Sequence, residues 1–453
     1  LILLNLAIIL RGRFLKITES IHFVKYFFMI STITNRFFSP VYLVRICIFL
    51  ISLPAFSQFT PPLSTKGSRI IDQTGSDFTL KGVNWWGING SHIPYSQDHS
   101  KGTNTHAMPF GIHIQDIDTI ISAIKNAGFN TIRLPFSNQM LHDNSKTEKE
   151  WVGPNTELIG LTPIQVMDVI VEKLTDNGLV VLLNNHSTTT HWCCNYDFNG
   201  LWYGKNEFYA QTTEQWIADW QMLAGRYKEN KLVVGADLRN EVRPLRKKGL
   251  PLPKNPNWGR KNKRDWHKAS TKAGNAIHEV QPNWLIVVEG INARVHFLTK
   301  LTFPHLKPVV KKPVKLQVSN KVVYEVHNYS FSWIKANLLR QKKQKKYGSV
   351  SSELRKAEYE RNWGFVMNEN FEHVAPVLLG EFGCSSLGID VEPWLKDLTD
   401  FVQDKKMGFC WWTLEEELTN EGSYGIMNAD LSKINVFEDW RGKYLKELLE
   451  MRR

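Results

Sequence analysis

Only 5 cysteines occur in the 453 residues, and the adjacent pair Cys193 and Cys194 lacks the C-x-x-C spacing of a structural zinc site, although His186 and His191 lie nearby. Long apolar runs are also missing. The stretch ICIFLISLPAF is shorter than the ~20 residues that a bilayer span requires, and no later segment is longer, so stable membrane insertion is not expected. No glycine-rich phosphate loop follows the first apolar run, which argues against a doubly wound nucleotide-binding sheet. Internal repeats, long linkers and any nucleic-acid-binding motif are lacking too, so nucleic acid is not an expected partner.

What is present begins with an N-terminal pattern. Residues 1–28 show no steady period and are read as upstream sequence of no assigned fold. From Met29, Arg36 and Arg45 precede the apolar stretch, and Ala55 and Ser57 give the small-x-small spacing of a signal-peptidase site, so residues 1–57 are read as an upstream segment plus a secretory signal. Residues 58–453 are then the mature, secreted domain, expected to be a monomer. Six of the 56 basic residues and one of the 44 acidic ones fall in residues 1–57, so removing them lowers the formal charge from +12 to +7. The remaining excess is concentrated in residues 243–264, 307–321 and 340–346, read as solvated lysine-rich loop insertions, with attachment to an anionic wall or matrix as a weaker possibility. In an oxidising compartment Cys193, Cys194, Cys384 and Cys410 allow three disulfide connectivities, and the sequence does not choose among them.

Eight short apolar runs read as buried parallel strands: residues 79–85, 130–135, 179–185, 232–238, 285–290, 322–327, 376–381 and 407–412. Helix-period segments separate most of them, at 114–128, 162–178, 212–230, 265–282, 354–371 and 391–407, and another closes the chain at 440–453. Several open on Thr or Asp and end in Gly, as helices between strands should. Such βα alternation implies an α/β fold, a single (β/α)8 TIM barrel with long loop insertions.

In a barrel of this kind the site is built from the C-terminal strand ends and the loops that follow. Those ends supply Arg133, His186, Asn240, Glu241, His327, Tyr329, Glu381 and Trp412. One polar strand end is ordinary; this many on one rim indicate a site. Glu241 and Glu381 suit acid/base and nucleophilic work on an acetal, with Arg133 and His327 keeping one carboxylate ionised while burial raises the other. Aromatic residues at Trp85, Trp86, Trp192, Trp202, Tyr203, Trp333, Trp411 and Trp412 offer flat faces for sugar rings, though alternation sends at most one ring of each adjacent pair inward.

The ordered motifs GFNTIRLPFS, ADLRNEV, AGNAIHEVQPNWLIVVEG, VYEVHNYS and VLLGEFG resemble glycoside hydrolase family 5, and most of all its secreted endo-β-1,4-glucanases, over residues 66–435. The resemblance implies a retaining double displacement on a β-glucan, with no metal and no cofactor. Glu241 would be the general acid/base and Glu381 the nucleophile. Asn240 would bind the sugar 2-hydroxyl, Arg133 and Tyr329 would steady the nucleophile, His186 and His327 would bind sugar hydroxyls, and Trp412 would floor the cleavage subsite. The chain departs from the family's simpler members in the long loop HSTTTHWCCNYDFNG, in the lysine-rich insertions and in EEELTNEGSYG, which lacks the usual Asn-Pro wording. Fold and dyad leave a mannanase or another β-glycosidase open. A non-catalytic polysaccharide-binding barrel would have lost one carboxyl, and a metal-dependent hydrolase would be disabled by EDTA. The sequons at Asn89, Asn185 and Asn328 permit glycosylation, but the last two fall within the expected site.

Overall fold

The computed structural model describes residues 59–90, 105–190, 198–205, 209–245, 254–296, 299–302, 305–330, 336–337, 351–415, 418–419 and 422–451. All eight expected strands form: β1 (Lys81–Asn84), β2 (Thr131–Ser137), β3 (Val180–Ser187), β4 (Val233–Asp237), β5 (Leu285–Glu289), β6 (Val322–His327), β7 (Val377–Phe382) and β8 (Gly408–Trp411). Each pairs in parallel with its sequence neighbours and β8 pairs with β1, closing the barrel. Parallel strands need crossovers, and the helices supply them. These are α1 (Ile117–Asn126), α2 (Pro163–Asp176), α3 (Thr213–Arg226), α4 (Trp266–Val280), α5 (Ser352–Asn362) and α6 (Glu392–Asp404), with α7 (Gly442–Leu449) near the chain's end.

The cap residues act as the sequence suggested. Asp116 accepts backbone hydrogen bonds at the start of α1, Asp265 does so for α4, and Thr212 and Gln215 form a reciprocal capping box on α3. Each such cap contributes about 1 kcal/mol. One expectation needs correction. The helix proposed over 354–371 stops at Asn362, where Trp363 leaves the helical conformation (φ −153°), and is followed by a 3-10 turn over Gly364–Met367; a Cβ at Gly364 would lie 2.6 Å from the Phe401 ring. Between β5 and β6, where no helix-period segment was expected, the described residues hold no α-helix, only an antiparallel pair, Ala293–His296 with Thr299–Thr302, and a 3-10 turn over Lys307–Val310.

Strand alternation sorts the apolar side chains into separate cores. In β3, Val181 and Leu183 belong to the large outer cluster shared with the helices, whereas Val180 and Leu182 pack inside with Leu80, Val234, Val287, Val323, Leu378 and Cys410. Leu63, Ile70 and Phe78, in and beside the hairpin Ser64–Lys66/Arg69–Ile71, join this inner cluster and plug one end. At the other end a third cluster brings together Trp86, Tyr329 and Trp412, bordered by Phe110 and Tyr424. Each buried Leu or Phe side chain contributes about 1.5–3 kcal/mol, so apolar burial dominates both cores.

The basic segments are less uniformly solvated than expected. Lys321 is buried, donating from Nζ to the carbonyls of Leu63 (2.6 Å) and Asn283 (3.1 Å), and Arg243 is buried as well. Residues 246–253 and 340–346 lie outside the described part, as do Cys193, Cys194, Trp192 and Trp333. Cys384 and Cys410 are buried free thiols and are not paired with one another. Among the described residues no helix is long and apolar enough to cross a membrane.

Candidate active site

The inward columns of the barrel change character along each strand. Leu80 and Gly82 lead to Asn84 and Trp86; Val180 and Leu182 to Asn184 and His186; Leu285 and Val287 to Glu289; Val323 to Glu325 and His327; Cys410 to Trp412. Below, alternate residues build an apolar core, and above, the same alternation delivers polar groups to the mouth. In β7 the register against β6 slips by one at Gly380, and the bulge carries Glu381 to that mouth. Only glycine fits there, since a Cβ on residue 380 would lie 1.6 Å from Glu325 Oε1.

Arg133, fully buried, is the hub. It donates from Nε to Asp237 Oδ2 (2.7 Å), from Nη1 to Asn84 Oδ1 and Glu381 Oε1 (both 2.8 Å), and from Nη2 to Asn240 Oδ1 (2.9 Å). Glu381 also accepts from the Tyr329 hydroxyl at 3.0 Å through Oε2. His327 stands between the two candidate carboxyls, with Nδ1 at 3.1 Å from Glu241 Oε1 and 3.3 Å from Glu381 Oε2, and its Nε2 lies 3.4 Å from Glu325 Oε1. One oxygen each of Glu241 and Glu381 and the facing His327 nitrogen lie within 4.8 Å of one another. His186 places Nδ1 2.8 Å from Asn184 Oδ1 and stacks on Trp412 at 5.4 Å, while Asn184 donates to Asp237 at 2.7 Å. All eight residues singled out from the sequence are therefore joined through one continuous set of contacts.

Five carboxyls, from Asp237, Glu241, Glu289, Glu325 and Glu381, share this region with two cationic groups, Arg133 and His327. Burial raises all five, and the cluster resolves the excess negative charge by holding protons. Burial keeps Asp237, beside Glu325, and Glu289 well above the carboxylate range. For Glu325, Arg133 and His327 outweigh burial and hold it below. Burial works against the His327 imidazolium, but Glu289, Glu381, Glu241 and Glu325 together keep it protonated well above its ordinary value. His186, buried and close to Arg133, is held neutral. Within the central pair, burial leaves Glu381 raised despite His327 and Arg133, whereas the His327 hydrogen bond overcomes burial at Glu241 and lowers it. That order is the reverse of what the sequence-derived roles require.

Among the described residues two sets have the reach to hold a metal ion, Glu241/His327/Glu381 and Glu289/Glu325/His327. Both depend on His327, whose ring must lose a proton before it can ligate, and its carboxylate neighbours oppose that loss.

Asn84, Asp237, Glu289 and Glu325 were missed from sequence. Each interrupts or ends an apolar run two residues from another polar inward position or at its strand's end, and that spacing was the available signal. Trp202 is corrected: it packs against Trp216 (6.3 Å) and Trp266 (5.2 Å) in the outer core and offers no face at the mouth. Of the adjacent pairs, Trp86 and Trp412 join the mouth cluster, and Trp85 and Trp411 join the outer core. The side chains of Asn89, Asn185 and Asn328 are all buried, which leaves no amide exposed for glycosylation at the three sequons.

Comparison with known proteins places this geometry. Residues 81–417 match the family model Cellulase (glycosyl hydrolase family 5). An endoglucanase of Paenibacillus polymyxa is 30% identical over 398 residues, covering 85% of this chain and 88% of its own. The major extracellular endoglucanase of Xanthomonas campestris pv. campestris is 28% identical over 371 residues, 79% of this chain and 65% of that protein. A solved endocellulase from Pyrococcus horikoshii in complex with cellotetraose superposes with a TM-score of 0.65 at 26% identity, covering 87% of this chain and 100% of that one. With the family match spanning the barrel from its first strand to beyond its last, and a full-length endoglucanase relative beside it, the chain belongs to glycosyl hydrolase family 5, the cellulases.

Proposed function

We propose that this glycoside hydrolase is a secreted endo-β-1,4-glucanase that cleaves with retention of configuration, using Glu381 as nucleophile and Glu241 as general acid/base. The observation that carries the reading is the closeness of the two carboxyls, with an oxygen of each inside 4.8 Å. Retaining glycosidases hold their carboxyls about 5–5.5 Å apart, whereas inverting ones leave about 6.5–9.5 Å for a water.

In the first step a Glu381 oxygen attacks the anomeric carbon, the glycosidic C–O bond breaks, and Glu241 gives its proton to the departing oxygen. In the second, ionised Glu241 takes a proton from water as that water's oxygen displaces Glu381 from the sugar. Arg133 and the Tyr329 hydroxyl bind one Glu381 oxygen each, which favours its ionised form and limits its rotation. The proton needed on Glu241 is supplied over 3.1 Å by His327 Nδ1, with the total charge unchanged. The same nitrogen lies 3.3 Å from Glu381 Oε2 and takes up the proton held there, so the net shift runs from Glu381 through His327 to Glu241, leaves Glu381 ionised and reverses the protonation order of the free site. Asn240, pinned by Arg133, is assigned to the sugar 2-hydroxyl, and Trp412, stacked on neutral His186, to the floor beneath the ring.

The β-1,4-glucan substrate is supported by the endoglucanase names of the relatives and by the cellotetraose of the solved neighbour. Secretion is supported by the signal-like pattern in residues 1–57 and by the extracellular Xanthomonas relative, with residues 58–453 as the monomeric mature enzyme. The test compares the chain from Gln58 with its Glu241→Ala and Glu381→Ala variants on carboxymethyl-cellulose, barley β-glucan and mannan, with EDTA present. Glucan cleavage by the parent and losses of at least a thousandfold in both variants are expected. Cleavage confined to mannan would overturn the substrate, and abolition by EDTA would overturn the metal-free mechanism.

A further inference from the structure

Glu241 is a non-glycine residue with a φ of +44°, a backbone conformation that side-chain-bearing residues rarely adopt. Something must hold it there, and two buried groups do so from opposite sides. The backbone N–H of Glu241 donates to Glu289 Oε2 in a short contact, and the Glu241 carbonyl oxygen accepts from Arg243 Nη1 at 3.0 Å. Both side chains are nearly inaccessible, 1% exposed at Glu289 and 2% at Arg243.

The chain path explains why a side chain is needed. The ladder between β4 and β5 ends as Leu238 N donates to Val287 O, and Asn240 N then turns to Asn185 O on β3. The next amide, that of Glu241, has left the sheet. Glu289, at the end of β5, reaches across with a carboxyl oxygen and takes the donor that a backbone carbonyl would otherwise have met. On the far side Asn292 N donates to Val242 O at 3.0 Å, which ties the segment after Glu241 to the loop that follows β5.

We propose that Glu289 and Arg243 are positioning residues that fix the direction of the Glu241 carboxyl by gripping both peptide groups of that residue; this rests on the acid/base reading of Glu241. Arg243 grips only the backbone of Glu241, whereas Glu289 Oε1 also lies 3.8 Å from His327 Nδ1, a contact that Arg243→Met leaves in place. Relaxing φ to a negative value swings the Glu241 side chain away from His327 Nδ1, and a misplacement of about 1 Å costs on the order of a hundredfold in rate. The loss is specific to steps that use Glu241. A sugar leaving group must be protonated, whereas 2,4-dinitrophenolate departs with little help from an acid, because catalysis by a positioned acid grows with the basicity of the leaving oxygen.

The experiment measures kcat/KM on cellotetraose and on 2,4-dinitrophenyl β-cellobioside for the parent, Glu241→Ala, Glu289→Leu, Glu289→Gln and Arg243→Met. Glu289→Leu is expected to lose roughly a hundredfold on cellotetraose and less than about fivefold on the activated substrate. Glu289→Gln keeps an acceptor oxygen for the Glu241 amide and is expected to recover at least tenfold of that loss. Arg243→Met cuts the other grip and carries the same readout if Glu289→Leu does not fold. Equal losses on both substrates, or no recovery with Gln, would overturn the proposal. Leaving-group dependence in Glu241→Ala but in none of the others would do the same while sparing the acid/base reading. Its absence from Glu241→Ala itself would sink that reading first.

Discussion

Replacing Tyr329 by Phe removes one hydroxyl and nothing else from the mouth of the barrel. The ring stays packed among Trp86, Trp412 and Tyr424, so the change isolates the 3.0 Å hydrogen bond to Glu381 Oε2. A hydrogen bond to a charged group contributes about 1.5–3 kcal/mol, and each ~1.4 kcal/mol is tenfold in rate, so kcat/KM on cellotetraose should fall between roughly tenfold and 150-fold. The sign of the pH effect follows from the same contact. Burial already holds Glu381 above the ordinary carboxylate range, and losing a donor to the ionised form raises it further. Activity requires that carboxylate ionised, so the acidic limb of the kcat/KM profile moves to higher pH, by at most about one to two units. The alkaline limb, set by the proton shared between His327 and Glu241, stays in place. The profile should be measured from pH 4 to 9 alongside urea unfolding, where Phe is expected to remain within about 1 kcal/mol of the parent. A loss below twofold with an unmoved acidic limb would refute the assignment of Glu381 as the ionised nucleophile steadied by Tyr329.

Arg133→Met should destabilise the fold by about 3–5 kcal/mol, because Glu381, Asp237 and Glu325 would lose their shared buried cation; a urea-unfolding difference under 1 kcal/mol would contradict that. Gly380→Ala should displace Glu325 and with it the site, since the added Cβ would sit 1.6 Å from Glu325 Oε1. The expected outcome is about 1–3 kcal/mol of lost stability together with a fall in kcat, and a variant indistinguishable from the parent in both would show that the bulge is not sterically set.

Most of the fold was legible because each barrel strand is a short apolar run and several helices carry their own start signal. Thr212 with Gln215, and Asp116 before Ile117, mark helix starts that the structure keeps. The crossover after β5 was not legible as a structure, because residues 290–321 carry neither a clear helical period nor a strand signal. Seven of the eight candidate residues were legible because each stands at or just past a strand end; Arg133 was read as the end of its run but lies within the longer strand Thr131–Ser137. Asp237, Glu289 and Glu325 were harder to see. An acid inside LVVGADL, LIVVEG or VVYEVH reads as an interruption until the inward columns are aligned across neighbouring strands, and the bulges at Val234 and Gly380 shift that alignment in β4 and β7. The protonation order of Glu241 and Glu381 was illegible for a related reason. It depends on one His327 nitrogen lying 3.1 Å from one carboxyl and 3.3 Å from the other, a balance that strand register alone does not fix.

The central claim is that Glu381 becomes covalently bound to the sugar, and trapping tests it most directly. Incubation with 2,4-dinitrophenyl 2-deoxy-2-fluoro-β-cellobioside, whose fluorine slows the second step more than the first, should inactivate the enzyme with one label per chain. Peptide mass spectrometry should then locate that label on Glu381. A label on Glu241 or on any other residue would contradict the account.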